Sequence, residues 1–118
     1  MSKHQALSLE LIRMSHHNEF NGEQVAHDLE QNIDLWLNVY GFFSWPLFTL
    51  RDMPYYYKID TVAILAELSK KEELEKMVAL WKPSEVRWLS ETDPEEYFIG
   101  TLHENDKKDK AVYYIWWD

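Results

Sequence analysis

The run Ala111–Trp117, "AVYYIWW", limits the architectures open to this chain more than any other stretch. In a strand, successive side chains alternate across the sheet, so Val112, Tyr114 and Trp116 face one way and Tyr113, Ile115 and Trp117 the other. A solvated face would carry polar residues at alternate positions. The run therefore predicts a strand that is covered on both sides or presents an aromatic face to a partner. As the last strand of a simple meander it is expected at a sheet edge, where unpaired backbone groups invite another strand or a second copy of the chain.

Two further C-terminal runs, "EVRWLS" and "EYFIGTLH", share this β-branched and aromatic character and are set off by the polar clusters "ETDPE" and "ENDKKDK". They predict a three-stranded antiparallel meander. Upstream the periodicity is helical. Leu7, Leu11 and Met14, with Ile12 beside them, predict a helix from about Lys3 to Ser15, ended by the turn-forming "HHNEFNG". Val25, Leu29, Ile33, Trp36, Leu37 and Tyr40 predict a second helix reaching Gly41.

Prolines 46 and 54 break "FFSWPLFTLRDMPYYYKI" into extended segments or wide turns. This stretch is rich in rings, and Phe42–Tyr57 is expected to wrap the second face of the terminal strand. "VAILAEL" reads as a short helix capped by Asp60 or Thr61. A further helix from the Ser-x-x-Glu pattern at Ser69 runs to Trp81 and is closed by Pro83. The expected fold is thus a single α+β domain over residues 1–118, with about four helices packed on one face of a C-terminal three-stranded antiparallel meander.

Charge narrows the function. With 12 Lys and Arg against 21 Asp and Glu, the formal net charge is −9. Phosphate backbones are bound by neutralising them with Lys and Arg, so direct nucleic-acid binding is disfavoured, as is an anionic membrane surface. A basic protein partner is the natural counterpart. No apolar run reaches the roughly 20 residues that span a bilayer, and no signal-peptide pattern opens the chain, which makes a cytoplasmic location the expectation.

Chemistry-bearing motifs are scarce. The chain has no cysteine and only 3 glycines, and neither a phosphate-cradling loop nor a dinucleotide fingerprint is present. No catalytic residue and no cofactor is assigned, and the reading leans away from an enzyme. The segment "HDLE" reverses the Glu-x-x-His order of di-metal bundles. A mononuclear site of His16 or His17 with His27 and a carboxylate is the metal alternative, against a plainly solvated polar stripe. The acids Glu91, Asp93, Glu95 and Glu96 fall in an expected turn, where solvent screens them.

One asymmetry stands out. From Met14 to Leu50 there is no Lys or Arg, while Glu23, His27, Glu30 and Asp34 fall on one helical stripe. Such a face steers a basic partner, and adjacent rings anchor it. The stripe is too sparse to mimic DNA, with three carboxylates over roughly 16 Å against about one charge per 1.7 Å of duplex. The sequence thus points to an acidic, non-enzymatic protein-binding module, an inhibitor or neutraliser of a basic protein. Glu23, Glu30 and Asp34 are its steering charges, and Trp45, Tyr56 and Trp117 its candidate anchors. Two other readings compete: a small-molecule or metal-binding pocket between the aromatic loop and the His27 helix, and a structural homodimer joined through the C-terminal strand.

Overall fold

Helix α1 (Lys3–Arg13) opens the computed structural model of the chain, which describes residues 1–43, 59–89 and 109–118. Its first turn is held by a reciprocal cap. The Ser2 hydroxyl accepts from the Gln5 backbone N–H at 3.1 Å, and the Gln5 side-chain oxygen accepts from Ser2 N–H at 2.8 Å. The Gln5 amide also donates to the Leu37 carbonyl at 3.0 Å, tying the helix to the chain beyond α2.

The turn expected at "HHNEFNG" is a two-residue hairpin of β1 (His16–His17) and β2 (Phe20–Asn21). Asn18 takes the left-handed conformation at φ 54°, which Asn tolerates better than most residues. Asn21 then caps helix α2 (Gly22–Gln31) by accepting from Gln24 N–H at 3.2 Å.

Helix α2 stops well short of the expected Tyr40. The Asn32 amide donates to the Asp28 carbonyl at 2.8 Å, competing with continued helix, and a 3-10 turn at Ile33–Leu35 follows. Trp36 folds back, its indole N–H donating to the Leu29 carbonyl at 2.7 Å. Of the residues whose spacing predicted the helix, Tyr40 instead lies in strand β3 (Asn38–Phe43), beside the β-branched Val39.

The second correction concerns "VAILAEL", of which all but the final Leu68 lies in strand β4 (Ile59–Glu67) and not in a helix. This strand is paired on both sides and buried on both faces along most of its length, so it lacks the alternation that marks a half-solvated strand. Asp60 and Thr61 lie inside it and cap nothing. Helix α3 (Lys71–Ala79) follows a 3-10 turn at Leu68–Lys70, and its N-cap is Lys70, with no side-chain cap bond. The Ser69 capping box is therefore not formed.

Strands β5 (Glu85–Trp88) and β6 (Lys110–Trp116) complete an antiparallel sheet of order β3-β4-β6-β5. The expected α+β class holds, with three α-helices and this four-stranded sheet among the described residues. The expected four helices and terminal meander do not. The sheet recruits β3 and β4 from the middle of the chain, and the "EYFIGTLH" run lies outside the described residues.

Strand β6 is internal. Its backbone pairs with β4 from Thr61↔Trp116 to Glu67↔Lys110 and with β5 from Glu85↔Trp116 to Trp88↔Tyr113. The expectation of an edge strand is overturned, and with it the route to a homodimer by strand addition at β6, because both backbone edges are already used. A run apolar on both faces belongs in the middle of a sheet, where each face can be covered.

One face of the sheet carries Val62, Ile64, Tyr113 and Ile115 against Leu9 and Ile12 of α1, Val25 and Leu29 of α2, and Leu74 and Val78 of α3. The opposite face has its own buried set, Ala63, Leu65, Leu89 and Val112, with Leu37 and Tyr114 packed against it. Among the described residues no helix is long and apolar enough to cross a membrane.

Candidate functional site

The acidic face of α2 follows from the helix's amphipathic repeat. Val25, Ala26 and Leu29 turn into the core, which leaves Glu23, His27 and Glu30 exposed on the outside. Asp34, in the 3-10 turn beyond the helix, is exposed as well. The structure thus brings Glu23 and Glu30 onto one helix and places Asp34 on the segment that follows.

Their charges are not equivalent. A carboxylate oxygen of Glu30 receives Arg13 Nη2 at 2.8 Å, and the same guanidinium reaches Glu10 at 3.5 Å. One cation therefore serves two acids, leaving that group at one net negative charge. Glu23 and Asp34 have no ion-pair partner among the described residues. Asp28 is withdrawn from the surface by a different contact, accepting from the Trp81 indole N–H at 2.7 Å.

Of the expected anchors, Trp117 is corrected by its burial. It is 1% exposed, its ring centroid 4.8 Å from that of Phe20 and 6.4 Å from that of Trp81, and its indole N–H donates to the Trp81 carbonyl at 3.1 Å. An indole so enclosed is core and offers no surface to a partner. Trp45 and Tyr56 lie outside the described residues.

The metal alternative gains no support from the described residues, and the side chain of His17, one of its candidate ligands, lies outside them. Among the described residues, no three His, Asp or Glu side chains gather as a metal ion requires. A shallow recess of about 60 Å³ between α1 and β3 is lined by Ile12, Val39, Gly41 and Ile59, with Leu11 and Tyr40 beside them. The hydroxyls of Ser8 and Tyr40 are the polar side-chain groups of that lining.

A surface feature that the periodicity concealed lies on α1. The helix buries Leu9 and Ile12, whereas Leu7, Leu11 and Met14 point outward and are 54%, 42% and 48% exposed. The spacing that predicted the helix thus marked its outer side. The available signal was a second apolar set, Leu9 with Ile12, which one amphipathic helix does not need.

No protein-family profile, no curated protein and no solved structure matches this chain.

Proposed function

We propose that the protein is an acidic binding module that engages a basic protein partner through the outer face of α2, without chemistry of its own. The observation that carries this reading is the uncompensated charge of that face and of the turn that follows it: among the described residues Glu23 and Asp34 have no cation partner, and Arg13 offsets only one of Glu10 and Glu30. The surrounding sequence deepens the imbalance, with no Lys or Arg from Met14 to Leu50 and a formal charge of −9 over the whole chain. A field of one sign accelerates encounter with a partner of the other and discourages acidic competitors. Sequestration of a basic protein, as by an inhibitor or neutraliser, is the activity such a surface serves.

The test is a salt series on a partner captured from native extract. Affinity should fall as the screening length shrinks from about 10 Å at 0.1 M salt to about 3 Å at 1 M. The triple variant Glu23→Gln, Glu30→Gln, Asp34→Asn should bind more weakly and with a shallower salt slope. A partner whose affinity ignores both salt and these substitutions would remove the reading.

A further inference from the structure

We infer that the outward stripe of α1 docks an amphipathic α-helix of the basic partner, so that this stripe, and not the terminal indoles, supplies the apolar anchor. The inference rests on the acidic-module reading and names the form the partner takes.

The stripe has the geometry of a helix seam. His4, Leu7, Leu11 and Met14 follow one another at intervals of three, four and three, the a and d positions of two heptads. All four are exposed, and His4 extends the row beyond the three apolar side chains. Side chains in such a row interleave with the ridges of a second helix, whereas an added strand would read alternate residues. Leu11 also borders the recess of about 60 Å³ between α1 and β3, beside Tyr40, which is 47% exposed. A side chain from the docked helix has a place to enter there.

Charge selects the occupant. On the flank toward α2, Glu10 and Glu30 share the single guanidinium of Arg13, and α2 carries a further exposed acid, Glu23. Lys3, one heptad before Glu10, is the cation at the far end of that flank. A helix whose apolar seam is bordered by Lys or Arg on this side satisfies both features at once. A second copy of this chain satisfies only one. Its two-heptad seam would be short for a stable coiled coil, and each copy would bring a charge of −9 to the contact.

The experiment uses a fluorescently labelled synthetic helix with leucine at heptad a and d positions and lysine at the flanks, titrated with the full-length chain. Wild type should bind it. Leu7→Ser with Leu11→Ser should weaken binding by at least about tenfold, as expected for losing two leucine contacts. Met14→Gln, at the other end of the stripe, should act in the same direction and guards against a folding defect in the double variant. Glu23→Gln with Asp34→Asn should weaken binding less and lower its salt dependence.

Absence of wild-type binding, or binding unchanged by both stripe variants, would overturn the inference. In the second case, continued sensitivity to salt and to the acidic substitutions would leave the acidic-module reading standing. Loss in the stripe variants with no response to salt or to the acidic substitutions would keep the docking seam and remove the acidic reading. Sedimentation of wild type as a dimer that the stripe variants convert to monomer would also overturn the inference, since the face would then belong to a second copy.

Discussion

The indole of Trp81, just beyond α3, donates to a carboxylate oxygen of Asp28 on α2 at 2.7 Å across a sequence separation of 53 residues. The bond ties α2 to the segment that leaves α3, two helices that cover the same face of the sheet. Asp28→Ala leaves a largely buried indole N–H without an acceptor and should cost about 1–3 kcal/mol in urea unfolding. Asp28→Asn keeps an oxygen in place and should cost less. Equal stability of Asp28→Ala and wild type would mean that solvent satisfies the indole.

Trp117 closes the same cluster from the sheet side, between Phe20 and Trp81. Trp117→Ala removes a buried ring and should lower stability by about 3–5 kcal/mol. Trp117→Phe should recover part of that loss while leaving the Trp81 carbonyl without its donor. Both effects belong to folding, so variants that remain folded should bind a basic partner as wild type does.

Gly22 is required by crowding. A side-chain carbon there would overlap the carbonyl oxygens of Ile12 and Ser15, both backbone atoms that cannot step aside independently. The Gly22 N–H already donates to Ser15 at 3.1 Å, which draws the two segments together. Gly22→Ala should destabilise by at least the roughly 1–3 kcal/mol of an overpacked core, read as a lower thermal midpoint. Retention of the wild-type midpoint would show that α1 and α2 can separate at little cost.

Tyr113 predicts an alkaline limit to stability. Burial, and secondarily the negative charge of Glu75, hold its phenol above the ordinary value of 10.0. The folded protein therefore keeps this proton to higher pH than the unfolded chain. Its contribution is fully present below about pH 10 and is lost as pH rises through the raised value. Tyr113→Phe should flatten the fall in stability above about pH 10 without altering the profile near neutrality. An unchanged alkaline slope would assign the decline to other groups.

The sequence disclosed the helices whose outer face is polar. Helix α2 was legible from Val25 and Leu29 because its other side is polar, and α3 from Leu74, Met77 and Val78 for the same reason. Legibility failed at β4, where burial is two-sided and the residues are mostly aliphatic, whereas the β-branched and aromatic run of β6 marked it as a strand. Strand β4 has no polar face to set its period, so Val62–Leu65 matched a buried helix as well as a strand. It failed again at Asn32, where one side-chain bond ends α2 although Ile33, Trp36 and Tyr40 keep helical spacing.

The site divides along similar lines. The exposure of Glu23, Glu30 and Asp34 followed from the repeat, because charged residues opposite an apolar face stay in solvent. The salt bridge from Arg13 to Glu30 did not, since it depends on how α1 crosses α2. Burial of Trp117 was hidden for a different reason. Aromatic content alone does not distinguish a strand with a free edge from one flanked on both sides, and only the order β4-β6-β5 resolves it.

That order carries a consequence for assembly at the ribosome. Strand β5 emerges earlier in synthesis than β6, yet among the described residues β6 is the only strand with which it pairs. Until β6 arrives, the open backbone of β5 and the apolar flank of β4 have no sheet to complete, and such segments are the ones most exposed to misassociation in nascent chains. The charged residues Glu85 and Arg87 on β5 suit that interval, since a short strand bearing both signs is a poor template for aggregation.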